Sequence, residues 1–164
     1  MPDEQAVLVK VADGVTAEIN AALEAGEFEG LQFTAERSYA DWKDDELEDL
    51  DCLHVDVVPV RYDNTDLDSR GSVGYVCSVD IGVRKKFGQG DNSQSGRIRK
   101  EEVDRLVLLV EQLHEHFCKD LLSTFEDATW RDTKIPTTFS RRHLRDARLF
   151  LGVIRVSFDV SKSL

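Results

Sequence analysis

The chain has 164 residues, 41% of them hydrophobic, which suits one packed core and is short for two. Its formal net charge of −11 is lopsided, with 15 acidic and 3 basic side chains in residues 1–51 against 17 and 18 in residues 52–164. This balance argues against general affinity for nucleic acid, which needs Lys and Arg clustered against phosphate, and no apolar run reaches the roughly 18 residues of a membrane span.

The acidic opening MPDEQ lacks the basic n-region of a signal peptide, so a soluble protein made and kept in cytoplasm is expected. The three cysteines, Cys52, Cys77 and Cys118, fit no CxxC or Cys/His finger spacing and predict free, buried thiols in a reducing compartment. Cys52 and Cys77 fall on candidate neighbouring strands, which leaves their approach open.

In chain order, residues 4–25 predict an amphipathic helix with Leu8, Val11, Val15, Ile19, Ala22 and Leu23 on one side. Asp3 is the candidate N-cap and Gly26 the stop, and Gly14 weakens the middle enough that a start at Asp13 is the alternative. Gln32–Tyr39 alternates as a half-buried strand with Phe33, Ala35 and Tyr39 inward. Residues 41–51, DWKDDELEDLD, form an acidic connection. Leu53–Tyr62 is a strand that Pro59 places at an edge or bends. After the polar loop Asp63–Gly71, Val73–Phe87 alternates most strictly of all, and the two strands predict an antiparallel pair.

A flexible loop, 88–98, leads into the longest helical signal, Arg99–Leu122. There Val103, Leu106, Val107, Val110, Leu113, Phe117 and Leu121 recur every three or four residues as one stripe that must lie on a sheet. Leu108 points to the opposite face and Leu109 to the flank. Ala128–Ile135 predicts a strand broken by Pro136, and Ser140–Ala147 a helical turn or charged loop. In the last strand Phe150, Ile154, Val156, Phe158 and Val160 alternate, while Leu149, Leu151 and Val153 line a second face that should also be covered. The fold class expected is α+β, a mainly antiparallel sheet packed by two amphipathic helices in the order α-β-β-β-α-β-β, with residues 1–164 as a single domain.

Motifs for chemistry fail on inspection. GQGDNS lacks the third glycine of a dinucleotide loop and the GK[ST] of a phosphate loop. Asp66, Asp68 and Gly71 hint at a calcium loop, but Arg70 and Cys77 occupy ligand positions. His114 and Cys118 share a helix face while His116 points elsewhere, so at most two ligands converge and no metal is expected. No cofactor and no enzyme activity are suggested.

Basic residues instead gather in three groups: Arg84, Lys85 and Lys86 close the best strand; Arg97, Arg99 and Lys100 open the long helix; Arg141, Arg142, Arg145 and Arg148 precede the last strand. With few aromatics between them they make a poor base-stacking surface. In a chain whose other end is acidic they predict head-to-tail association, basic patch against a neighbour's acidic segment. The candidate interface is therefore Arg84, Lys85, Lys86, Arg97, Arg99, Lys100, Leu108, Arg141 and Arg142. The candidate acidic lumen or partner surface is Asp44, Asp45, Glu46, Glu48 and Asp49.

Taken together, the amino-terminal amphipathic helix, QFTAERSYA, the strand LHVDVVPV, the long hairpin ending DIGVRKKFG, one central helix and a closing strand pair resemble the tail terminators of tailed bacteriophages and related neck proteins. The resemblance is one of element order over nearly the whole chain and transfers no residue-level roles. It implies a structural virion protein whose homo-oligomeric ring, typically a hexamer, caps the tail tube and joins it to the head. Partners would be the tail tube protein and neck or connector proteins, with DNA passing through without specific binding and assembly in the host bacterial cytoplasm. A head-completion or adaptor protein between portal and tail is the alternative, as is a non-phage cytoplasmic binding domain.

Overall fold

The computed structural model describes residues 5–39, 52–64, 71–87, 98–118, 122, 124–146 and 148–163. It is α+β. Helix α1 (Val7–Glu24) is followed by strands β1 (Ala35–Arg37), β2 (Leu53–Asn64) and β3 (Ser72–Lys86), helix α2 (Lys100–His116), strand β4 (Ala128–Thr137), the short helix α3 (Arg141–Asp146) and strand β5 (Leu149–Ser163). The strands form one sheet in the order β1-β2-β3-β5-β4, antiparallel throughout except for the parallel pair β1 and β2.

Directly opposed residues of an antiparallel ladder share a face. Val57, Ile81 and Ile154 therefore lie in one row across β2, β3 and β5, next to Val55, Val83 and Gly152, and to Val79 and Val156. This is the core face. Both α1 and α2 press on it, contributing Val11, Val15, Ile19, Leu106, Leu109, Val110 and Leu113 to one continuous cluster. α1 sits over β1, β2 and β3, and α2 over β5 and β4.

Helix α1 runs unbroken through Gly14, and that glycine is a point of close approach. A Cβ there would lie 2.9 Å from Leu122 Cδ1. The first cap is Ala6, which makes no side-chain bond, and not Asp3, which lies outside the described residues. Gly26, at φ +82°, lies just past the helix end as expected.

Three expectations are corrected. Strand β1 is three residues long, not eight, and Tyr39 lies beyond it, 66% exposed, with its ring over the Arg37 guanidinium. Helix α1 occupies the outer edge of β1: the Asn20 side chain accepts from Ala35 N–H at 2.9 Å and donates to Ala35 C=O at 3.1 Å. Leu109 is fully buried. Periodicity places a stripe on a helix only to within a flank, and the way α2 sits on the sheet turns it toward Leu109, leaving Val103 and Val107 half-buried at its rim. The same helix ends at His116, one turn and a half before the predicted Leu122, which instead forms an isolated bridge with Phe125; Leu121 lies outside the described residues.

Strand β4 continues through Pro136, because β4 pairs only with β5 and a proline is tolerated on an edge; the ladder slips between Lys134 and Thr137. Pro59 marks a similar slip in β2, between Pro59 and Arg61, beyond the stretch that β1 covers. Of the cysteines, Cys77 is buried in β3, but Cys52 is exposed at the start of β2, and both are free thiols. The acidic connection 41–51, the loop Asp66–Arg70 and residues 88–97 lie outside the described residues.

Candidate functional site

The register brings the basic groups together. Strand β3 ends where β2 and β5 begin: Leu53 opposes Lys85, and Lys86 opposes Leu149. Arg148, at φ +54°, turns the chain into β5, accepting from Phe87 N–H at 2.8 Å and donating from Nε to Phe87 C=O at 3.3 Å. Helix α2 starts at this same end, since Lys85, Cys52 and Leu53 share a cleft of about 660 Å³ with Glu102, Arg105 and Leu106. Helix α3 immediately precedes β5 and is anchored by Leu144 against the core; Ser140 caps it, its Oγ accepting from His143 N–H at 3.3 Å. Stretches from 13 residues apart (Lys86 and Arg99) to 62 residues apart (Lys86 and Arg148) in sequence thus meet at one end of the sheet.

Of the predicted interface residues, Arg99, Lys100, Arg141 and Arg142 are exposed there and Lys85 and Lys86 are half-buried. The Lys85 ammonium lies 5.6 Å from the Phe87 ring centroid. Arg105, Arg145 and Arg148 join this end. Glu101, Glu102, Asp104 and Asp146 are the acids interspersed with them. Arg145 Nε lies 2.9 Å from Asp146 Oδ1, and Arg142 Nε 4.0 Å from Asp146 Oδ2. The hydrogen bond from Arg145 holds the Asp146 carboxyl below its ordinary range and raises the guanidinium in turn. Both groups are solvated, so the pair adds little to stability. Lys86, Arg99, Lys100 and Arg141 have no ion-pair partner among the described residues.

Two predicted residues sit apart from this group. Leu108 is 51% exposed, about 12 Å along the helix axis from Lys100, among exposed Asp104, Arg105 and Glu111. Arg84 turns to the sheet face away from the helices, where its Nη2 lies 2.6 Å from Asp56 Oδ2, with 11% and 13% of the two side chains exposed. Arg97, Asp44, Asp45, Glu46, Glu48 and Asp49 lie outside the described residues. The acidic connection that holds those five acids joins Tyr39 to Cys52, and Cys52 lines the cleft at the basic end.

The second sheet face carries a set of paired charges that sequence inspection missed. Arg155 grips Asp80 with two bonds, 2.8 Å and 3.0 Å, which raise its guanidinium pKa further. Ser78 and Ser157 hydroxyls bond at 2.8 Å, and Arg131 meets Asp159 at 3.0 Å. These side chains line or adjoin a groove of about 710 Å³ flanked by β2 and β4. The signal was present in the polar phase of each strand, where Asp56, Asp80 and Asp159 alternate with apolar residues; finding their partners required the register of β5.

The histidines do not build a metal centre in the described residues, where no three ligand-type side chains converge. Cys118 Sγ lies 3.6 Å and 3.8 Å from the two ring nitrogens of His114. His116 stands between two carboxylates, Glu18 at 3.5 Å from Nε2 and Glu27 at 3.2 Å from Nδ1, on opposite sides of its ring. It ties α1 and the turn after it to the end of α2. No helix of the described residues is long and apolar enough to cross a membrane.

No protein-family model matches the chain, and no curated protein matches it in sequence. Among solved structures the chain is similar to the sheath/tube terminator of the PVC extracellular contractile injection system in its extended state, with 12% sequence identity and a TM-score of 0.48. The likeness covers 99% of this chain and 58% of that one, so this chain spans little more than half the length of that terminator.

Proposed function

We propose that this chain is a structural subunit of a phage-type tail, a tail-terminator role in which copies associate into a ring that closes the tail tube and meets the neck. The observation that carries the proposal is the charge distribution: Lys85 and Lys86, Arg99 and Lys100, and Arg141 and Arg142, from three separate elements, lie at one end of the sheet, in a chain whose first third is strongly acidic and whose net charge is −11. A subunit with a basic end and a strongly acidic first third suits repeated heterologous contacts, which close into a ring when the rotation between copies closes. The same net charge suits a wall that DNA slides past without sticking. The work of such a protein is mechanical and needs no catalytic group. Its partners would be further copies, the tail tube protein and the neck.

Electron microscopy of the purified protein, alone and mixed with tail tubes, tests this. Rings of six, or six-fold caps on tube ends, are expected. Rings of twelve would point to the portal adaptor role, and monomers in both preparations would overturn the ring.

A further inference from the structure

We infer that the outward stripe of helix α2, centred on Leu108, docks into the groove on the opposite face of the sheet of a second copy. The inference rests on the ring proposal and names a contact between neighbouring copies. Three features of the molecule support it.

The first is a pair of surfaces that the chain's own packing leaves over. Helix α2 turns Leu106, Leu109, Val110 and Leu113 onto the sheet, and on the far side of the helix Asp104, Leu108 and Glu111 stand in line in solvent. The two carboxylates lie about one turn to either side of Leu108, and neither has an ion-pair partner among the described residues. Both α1 and α2 press on the core face of the sheet. The other face carries the groove of about 710 Å³, floored by Ser78 and Val76 of β3 with Arg155 and Ser157 of β5.

The second is fit. The strand order puts the two walls of the groove, β2 and β4, three strand spacings apart, or about 14 Å. A helix with its side chains is about 10 to 12 Å across. The β4 wall, residues 131–136, runs about 16 Å at the usual rise, which exceeds the axial span of about 10 Å from Asp104 to Glu111.

The third is chemistry. Val60, Val76 and Ile135 give the groove an apolar lining for Leu108, and Val60 is itself exposed. Arg61 on one wall and Lys134 on the other supply cations. Each is held only loosely in its own chain, Arg61 at 3.7 Å from Asp63 and Lys134 at 3.8 Å from Asp132, so both can turn to an incoming carboxylate at little cost. Those two aspartates make the groove a poor track for nucleic acid, whose phosphates need uninterrupted base. A stripe of acid, leucine and acid matches it better. Stripe and groove lie on opposite sides of one molecule, so each copy offers a helix to one neighbour and a groove to the next, which is the polarity of a heterologous contact.

A charge exchange tests the contact. One variant carries Asp104→Lys and Glu111→Lys; the other carries Arg61→Glu and Lys134→Glu. All four positions are exposed, and circular dichroism verifies that each variant folds. By sedimentation in low salt, each variant alone should associate about tenfold or more weakly than the wild type. Their equimolar mixture should recover most of the loss, because in an alternating assembly every helix again meets a groove of opposite charge. Leu108→Gln keeps the four charges and removes the apolar contact; its association should also fall about tenfold, and raising the salt to about 0.5 M should leave that deficit in place while shrinking the deficits of the charge variants.

Wild-type-like association of either charge variant, a mixture no better than its components, or a wild type that stays monomeric would overturn the contact. Rings that persist in all three variants would remove the contact and leave the ring proposal standing. Open chains that obey the charge exchange without closing would keep the contact and remove the ring.

Discussion

The pair Arg84 and Asp56 offers the sharpest test of how the sheet tolerates charge. Its closest atoms are 2.6 Å apart, with 11% and 13% of the side chains exposed, yet the pairing is lean: Arg84 Nε and Nη1 are buried without hydrogen-bond partners, as is His54 Nε2 on the opposing residue. Two charges taken out of water are compensated here by one short contact. Replacing Asp56 with Leu strands a buried guanidinium, and replacing Arg84 with Met strands a carboxylate. Each should cost about 3 kcal/mol, the lower end of the range for breaking a buried pair because about a tenth of each side chain still meets solvent. The double variant Arg84→Met with Asp56→Leu should come back to within about 1 kcal/mol of the wild type or exceed it, since an apolar pair leaves no unmatched N–H. Urea unfolding followed by tryptophan fluorescence, with the four proteins compared at constant m-value, measures the coupling directly. Single variants that each lose less than about 0.5 kcal/mol, or a double variant that loses the sum of the two, would refute this account of the pair.

Two further predictions follow from the core face. Gly152→Ala should lower stability by about 1 to 3 kcal/mol or more, because the added Cβ would meet Val110 Cγ2 at 2.7 Å and the Thr138 backbone oxygen at 2.8 Å; adding Val110→Ala should recover only part of the lost melting temperature, since the carbonyl stays in place. Burial, and secondarily Asp159, push the Cys77 thiol up to about 11 from an ordinary value of 9.0, so above pH 9 the unfolded chain releases this proton before the folded one does. Stability should then fall with rising pH by about 1.4 kcal/mol per unit between pH 9 and pH 11 relative to Cys77→Ala, and a difference that stays flat across that window would contradict the assignment.

Much of the fold was legible because its signals are local. The strict alternation from Val73 to Val83 and from Phe150 to Val160 specifies two long strands with one face inward, whatever they pair with. The stripe from Leu106 to Phe117 specifies a helix with a buried side, and the loop Asp63–Gly71 between two matched strands specifies an antiparallel pair. Where local signals compete with a neighbour, they fail. QFTAERSY alternates well enough for eight residues, but the ladder with β2 takes only Ala35, Glu36 and Arg37, and on the other edge Asn20 of α1 binds the backbone of Ala35. Leu109 looked like flank because a helix wheel has no knowledge of how the helix lies on a sheet.

The candidate site divides along the same line. Composition and spacing alone mark three basic groups and an acidic third. That β5 inserts between β3 and β4 was decided by tertiary structure, and with it the meeting of Lys86, Arg148, α3 and the start of α2 at one end. The reason is physical: charge is a property of residues and is written in the chain, whereas the distance between charges depends on strand order. Strand order is selected by which apolar faces can be buried together, a condition that no single stretch of sequence carries.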